Sequence, residues 1–235
     1  MIHIDASRGL DLTFKTLNEV YVIDNLFPEW FIEYVHAHTI WAPAWLFGRT
    51  SGDNTGELPA FSQQIFPPNA VNADNNCFDM MYQALSKTLP PHNLTEIVVN
   101  GQQSFHDTVF HQDCEDDAGL TFIYYVNKDY NPEWGGGTAI EYDNVTTVDF
   151  VPGRVALFKG MYYHKGCSFV NSPELRTTVA IKVALLCLNY GGYGSMRWVA
   201  SLMKELNATT ITLLLYAVLF SFLISLLIVL LWQGS

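Results

Sequence analysis

The chain has 235 residues, of which 49% are hydrophobic and 14% aromatic. This composition excludes a disordered protein and suits one domain with a sizeable core. Acidic residues outnumber basic ones by 23 to 12, and the formal net charge is −11. Because so acidic a chain repels phosphate, we expect no nucleic-acid partner.

The first part of the chain predicts one strand and two helices. Residues 19–23 alternate weakly between polar and apolar side chains and predict a strand, and a helix is expected to begin near Pro28. Residues 42–73 are rich in Gly, Pro, Asn and Ser, which is typical of loops. Residues 74–89 repeat apolar side chains at spacings of three and four, and this spacing predicts a second helix.

After residue 91 the pattern changes to short β-branched and aromatic segments separated by turns. The predicted strands cover residues 96–100, 119–127, 138–142, 147–150, 154–158 and 177–188. Helices followed by many short strands favour a mainly β protein with flanking helices (α+β). The best architecture is a jelly roll of two sheets with the helices on one outer face.

The C-terminal stretch has a different composition from the rest of the chain. Residues 206–235 carry no charge, and residues 211–232 are almost entirely apolar. Because about 20 apolar residues cross a bilayer as a helix, we expect one transmembrane tail anchor at 206–235 after a domain of residues 1–205. Basic residues precede this stretch and no charge follows it. The positive-inside rule then predicts a single-pass membrane protein with a cytoplasmic domain.

Two H-x-D triplets occur, one beginning at His3 and one at His111. Because residues two apart on an extended chain point to the same side, His111 and Asp113 can direct an imidazole and a carboxylate at one point. His164 is the only histidine after Asp113, and it is the candidate third ligand. Two histidines and one carboxylate form the facial triad of non-haem Fe(II) oxygenases. The copy at His3 lies before the β-rich half and is a poor candidate.

An oxygenase of this kind needs an anchor for the distal carboxylate of 2-oxoglutarate. Arg176 begins the last predicted strand, and its planar guanidinium suits a carboxylate. Thr178 lies on the same face of that strand and can add a hydroxyl donor. We therefore predict Arg176 and Thr178 as co-substrate-binding residues.

The order of these motifs resembles the prolyl-hydroxylase-like branch of the Fe(II)- and 2-oxoglutarate-dependent oxygenases. The motifs are the H-x-D at His111, IYYVNKDYNPEWGGG, PGRVALF, His164 and the R-T-T at Arg176. The resemblance implies a double-stranded β-helix at about residues 95–190, with Fe(II), 2-oxoglutarate, O₂ and ascorbate as cofactors. It also implies that His111, Asp113 and His164 are the iron ligands and that Arg176 binds 2-oxoglutarate.

The same resemblance bears on three further positions. The second tyrosine of the IYYxNKD motif bonds the co-substrate carboxylate in oxygen-sensing prolyl hydroxylases, and the matching residue is Tyr125; a core aromatic is the alternative. Thr178 occupies the place of the serine in the family's R-x-S pattern. The chain departs from prolyl hydroxylases at Lys182, about where several have a tryptophan, and residues 100–103 lack a common tyrosine.

The resemblance implies a dioxygenase that hydroxylates an unactivated C–H bond, with a prolyl or related side chain of a protein as the leading substrate. Hydroxylation of a small molecule, a sugar or a lipid headgroup is an alternative. A non-catalytic jelly-roll scaffold and a cupin-type metal-binding barrel are further alternatives. Asp113 argues against a halogenase, in which that carboxylate is lost to make room for halide.

Overall fold

The computed structural model describes residues 1–12, 17–42, 44–50, 59–66 and 76–186. Met1–Leu186 forms one compact unit. Its main elements, in chain order, are β1 (Ile2–Asp5), β2 (Tyr21–Asp24), α1 (Glu29–Ile40), β3 (Leu46–Arg49), β4 (Ala60–Phe66), α2 (Asn76–Ser86), β5 (His92–Gln102), β6 (Gly119–Tyr125), β7 (Thr138–Tyr142), β8 (Asn144–Val148), β9 (Val155–Lys159), β10 (Tyr163–Gly166) and β11 (Arg176–Leu185).

The described strands form two sheets. The larger has eight strands in the order β1-β2-β9-β6-β11-β5-β4-β3, and the smaller has three in the order β10-β7-β8. The pairing is antiparallel except between β1 and β2. β11 lies between β5 and β6, so it is central in the larger sheet. This arrangement agrees with the mainly β, double-stranded β-helix part of the fold prediction.

The central strands alternate between two apolar layers. On β6, Phe122 and Tyr124 belong to a layer shared with the helices, whereas Ile123 and Tyr125 belong to a layer shared with the smaller sheet. This is the period of two of an extended chain, with both faces of the strand covered. Every residue of β6 is therefore buried.

The two helices pack on one outer face of the larger sheet, as predicted. α1 contributes Phe31 and Val35 to the first apolar layer, and α2 contributes Phe78, Met81 and Leu85. The spacings of three and four place these side chains on one helix face. Both helix predictions are confirmed, with α2 shorter than the predicted range 74–89.

The loop prediction for residues 42–73 is wrong in two places, because β3 and β4 lie within it. β4 pairs with β5, and β3 pairs with β4 at the edge of the sheet. These strands are stabilised by partners distant in sequence, and their Gly, Ser and Gln residues hide the local pattern. The short strands β1 and β10 were not predicted either.

The prediction of a transmembrane helix needs correction. No helix among the described residues is long and apolar enough to cross a membrane. The longer of the two α-helices that the structure describes has 12 residues, which at about 1.5 Å per residue is shorter than a bilayer core of about 30 Å. The predicted span, residues 206–235, lies outside the described residues. We therefore keep only the mainly β part of the fold prediction, and we withdraw the membrane anchor and the single-pass membrane location with a cytoplasmic domain.

Candidate active site

The three residues predicted as metal ligands lie together. His164 is on β10, and an antiparallel bridge joins it to His111, with backbone N–H···O distances of 3.0 and 2.9 Å. The Asp113 N–H donates to the Gly160 carbonyl at 2.8 Å. One ligand atom from each of the three side chains lies within 4.8 Å of the others, and no other such group occurs among the described residues.

The hydrogen bonds of the two imidazoles direct the same nitrogen of each ring toward the carboxylate. Nδ1 of His111 lies 3.0 Å from the Val109 carbonyl, and Nδ1 of His164 lies 2.9 Å from the Tyr162 carbonyl. A neutral ring whose Nδ1 donates to a carbonyl keeps a lone pair on Nε2. The two Nε2 atoms lie 3.8 and 3.4 Å from oxygens of Asp113. This donor set suits Fe(II).

The Asp113 carboxylate also has two donors of its own. Lys182 Nζ lies 2.7 Å from Oδ1, and the Thr121 hydroxyl donates to Oδ2 at 2.6 Å. Burial alone would raise the pKa of Asp113, but His164, Lys182 and Thr121 together lower it below its ordinary value. Asp113 is therefore an anion whose side chain is only 6% exposed and whose two oxygens are held in fixed directions.

The other H-x-D triplet does not take part. His3 is exposed on the edge strand β1. The Asp5 carboxylate accepts hydrogen bonds from the Ser7 backbone N–H and the Asn25 side chain. Asp5 thus caps a turn, which explains an aspartate there without any metal.

A cavity of about 230 Å³ borders the cluster. Arg176, Thr178, Ala180 and Lys182, which alternate along β11, line one wall of it. At about 3.3 Å per residue, Arg176 and Lys182 are about 20 Å apart along the strand. The cavity therefore has a cation toward each end of this wall.

Arg176 is buried, with 2% of its surface exposed, and its side chain is held by neutral acceptors. Nε donates to the Gly136 carbonyl at 2.6 Å, and Nη2 donates to the Gly137 carbonyl and the Thr138 hydroxyl at 3.1 and 3.0 Å. Nη1 donates to Gln102 Oε1. No carboxylate of the described residues forms an ion pair with Arg176. Four of its five N–H groups are used, so one remains for a ligand.

The triple glycine before β7 is what brings backbone carbonyls to this guanidinium. Gly135 and Gly136 have φ angles of +71° and +86°, which favour glycine. A Cβ on Gly136 would also lie 2.3 Å from Cε1 of Phe169. The turn can therefore present its carbonyls to Arg176 only because it lacks side chains.

Comparison of the sequence with protein-family models and with curated proteins finds no significant match. Solved structures do match. A prolyl-4-hydroxylase from Pseudomonas putida has a TM-score of 0.53 and 13% identity, covering 72% of this chain and 94% of that chain. An oxidoreductase of the 2OG-Fe(II) oxygenase family from Burkholderia pseudomallei has a TM-score of 0.52 and 12% identity, covering 70% and 84%. The non-haem α-ketoglutarate-dependent epimerase SnoN from nogalamycin biosynthesis has a TM-score of 0.52 and 11% identity, covering 72% and 78%.

This chain has the fold of the 2-oxoglutarate-dependent oxygenases. The resemblance seen in the sequence is thereby confirmed at the level of the fold, and His111, Asp113 and His164 form a group that could hold a metal ion. Because the sequence identities are only 11 to 13%, these structural matches establish the oxygenase fold and nothing more.

The two further residues predicted to bind the co-substrate differ in position within the oxygenase fold. Thr178 lines the cavity on the same wall as Arg176. Tyr125 is fully buried, and its hydroxyl donates to Thr138 Oγ1 at 2.9 Å and to the Val148 carbonyl at 3.1 Å. Tyr125 does not line the cavity. Its hydroxyl shares the acceptor Thr138 with Arg176, and its ring centroid lies 5.8 Å from Cζ of Arg176. Tyr125 is therefore better described as a core aromatic residue, which was the alternative interpretation of this position.

Three residues that touch this site were not predicted from the sequence. Gln102 bonds Arg176, Thr121 bonds Asp113, and Arg49 lines the cavity from within a predicted loop. Gln102 and Thr121 are ordinary polar residues on β5 and β6, and no motif distinguishes them. Only the cross-strand register brings Thr121 beside Lys182 on β11. Lys182 was noticed as a departure from prolyl hydroxylases but was not assigned to the site.

We expect the metal-free protein to lose stability on mild acidification because of His164. Burial lowers the pKa of His164 to about 4, although Asp113 acts to raise it. Between that value and the ordinary pKa of about 6.5, the unfolded chain binds the proton and the folded chain does not. Stability therefore falls as the pH drops through this window, by about 2 kcal/mol at pH of about 5.

Denaturant unfolding of the metal-free protein at neutral pH and at pH of about 5 measures this loss. His164→Gln should remove about 2 kcal/mol of the pH dependence, whereas the exposed His3→Gln should keep it. An equal pH dependence in wild type and His164→Gln would show that His164 does not carry the effect.

Proposed function

We propose that this protein is an Fe(II)- and 2-oxoglutarate-dependent dioxygenase that hydroxylates an unactivated C–H bond. The observation that carries the proposal is the pairing of two features in one cavity. One is the cluster of two imidazoles and a carboxylate, and the other is the buried Arg176, which has no carboxylate partner among the described residues. A buried guanidinium without a counter-ion is costly, and an anionic ligand would neutralise it.

In this proposal, His111, Asp113 and His164 hold the iron. Arg176 receives the distal carboxylate of 2-oxoglutarate through its remaining N–H group, and Thr178 adds a hydroxyl on the same wall. When bound, iron with 2-oxoglutarate and O₂ supplies the oxidant that replaces hydrogen by hydroxyl. The protein fixes the imidazole tautomers through Nδ1 and orients both oxygens of Asp113. Ascorbate is proposed only as the reductant that maintains Fe(II).

A prolyl or related side chain of a protein is the substrate class that the sequence resemblance favours. A small polar molecule is the second candidate, and the cavity lining favours it. That lining includes Arg49, Asn100, Thr108 and Lys182, and none of the lining residues that the structure describes is Phe, Tyr or Trp. The increase in 2-oxoglutarate turnover on adding a prolyl peptide or small polar acids separates the two candidates.

The first test is succinate formation by the purified full chain with Fe(II), ascorbate and 2-oxoglutarate under air. Oxygenases of this kind turn over slowly without substrate, so no substrate has to be known. We expect succinate from wild type and none above background from His111→Ala. The matched control is His3→Ala, which alters the other H-x-D triplet and should leave the rate unchanged.

A wild type that forms no succinate would be examined without oxygen for the metal-to-2-oxoglutarate charge-transfer band. Presence of the band would support binding of both groups at the proposed site. Absence of both signals would reject the oxygenase proposal in favour of the non-catalytic scaffold. Equal succinate formation by wild type and His111→Ala would also reject the assigned iron ligands.

A further inference from the structure

Lys182 is the one Lys or Arg of the described residues that forms an ion pair with the His–Asp–His cluster. Its ammonium lies 2.7 Å from Asp113 Oδ1 and 2.8 Å from Glu96 Oε2. Glu96 in turn pairs with Arg49 at 3.0 Å. The Lys182 side chain is only 21% exposed, and that of Asp113 only 6%. These four charges form a mostly enclosed row that ends at the cluster.

The sheet register fixes this row. Lys182 on β11 is directly opposite Glu96 on β5 and Thr121 on β6. Two of these three neighbours, Lys182 and Thr121, donate to opposite oxygens of Asp113. The β11–β5 register shifts immediately after Lys182. The Lys182–Glu96 pair is therefore fixed by two central strands, and Arg49 joins it from the edge strand β3.

We infer that Lys182 is a positioning residue that orients the Asp113 carboxylate and favours the ferrous state of an iron ion held by the cluster. The inference rests on the proposed function. A fixed positive charge beside the carboxylate ligand repels Fe(III) more than Fe(II), because the two ions differ by one unit of charge. The negative charge of Glu96 partly offsets the positive charge of Lys182, so it limits this preference for Fe(II).

Substitutions of Lys182 and Glu96 are therefore expected to shift the Fe(III)/Fe(II) potential in opposite directions. Lys182→Met removes the cation and should raise the affinity for Fe(III) relative to Fe(II) about tenfold, which for a one-electron couple lowers the potential by about 59 mV. Glu96→Gln removes the opposing anion. It should lower the affinity for Fe(III) relative to Fe(II) and so raise the potential. Lys182→Arg keeps the charge and should remain near wild type.

The test is a potentiometric titration of the Fe(III)/Fe(II) couple in the iron-loaded full chain, without co-substrate and without any activity measurement. Lys128→Met is the matched control, because Lys128 pairs with Glu33 and makes no contact with the cluster. Unchanged potential in Lys182→Met, or shifts of the same sign in Lys182→Met and Glu96→Gln, would overturn the inference. If Lys182→Met does not fold, an unchanged potential in Glu96→Gln is sufficient to overturn the inference.

The proposed function and this inference can fail separately. A wild type that binds no Fe(II), or binds it equally well after His111→Ala, contradicts the proposed function. A wild type that binds Fe(II) through His111 but keeps its potential after Lys182→Met contradicts only the role of Lys182.

Discussion

Replacing Asp113 with asparagine is expected to lower the affinity for Fe(II) by more than about 100-fold, because the loss of a ligand should exceed the 10–100-fold effect of losing an outer partner. Asp113 is the only anion of the cluster. Asparagine keeps its size but removes its charge, and Lys182 would remain beside the site without its nearest counter-ion. A neutral amide cannot offset the repulsion between Lys182 and a divalent cation.

Fe(II) binding to the variant is measured by anaerobic titration, together with succinate formation. Asp117→Asn is the control, because its exposed carboxylate lies four residues along the chain and contacts Lys159 instead. Thermal unfolding of the metal-free proteins shows whether Asp113→Asn still folds. A folded Asp113→Asn that binds Fe(II) as tightly as wild type would exclude Asp113 as a ligand.

Replacing Arg176 with methionine is expected to weaken 2-oxoglutarate binding about 100-fold. A charge-assisted hydrogen bond contributes about 1.5–3 kcal/mol, and the carboxylate would lose the one guanidinium of its wall. Folding should suffer as well. The acceptors on Gly136, Gly137, Thr138 and Gln102 would lose their donor inside the protein, at a net cost of about 2–4 kcal/mol after relief of the buried charge.

Ligand-induced stabilisation separates these two effects. In the presence of Fe(II) without oxygen, 2-oxoglutarate at about 100 times its Kd should stabilise wild type by about 2.7 kcal/mol. It should stabilise Arg176→Met by much less, whatever the stability of the unliganded variant. Arg8→Met, which alters a side chain that is 87% exposed, should behave as wild type. Equal stabilisation of wild type and Arg176→Met by 2-oxoglutarate would remove Arg176 from the co-substrate site.

The parts of the fold that were predicted from the sequence are those with a strong local period. α1 and α2 show apolar spacings of three and four, and β6 is apolar at nearly every position. The strands that were missed, β1, β3, β4 and β10, have weak local patterns and exist because another strand pairs with them. Pairing between residues distant in sequence leaves no signature in either segment alone.

Two of the residues predicted to bind the co-substrate, Arg176 and Tyr125, show the same distinction in the site. Arg176 was predicted from its place in an ordered set of motifs, and the structure buries it in the cavity wall. Tyr125 was predicted by resemblance alone, and its hydroxyl is directed to Thr138 and Val148 instead of the cavity. Which face a side chain takes within a doubly covered strand depends on both layers, which the strand pattern does not distinguish.

By itself, the sequence determined the mainly β class, the two packed helices and the set of residues that form the cluster. Helix faces and alternating strands are local properties, and the ligand set follows from residue type and the order of the motifs. The tertiary structure alone decided that Lys182 and Thr121 donate to Asp113 and that Gln102 and a glycine turn hold Arg176. These contacts join strands far apart in the chain, so their existence depends on sheet register and not on any motif.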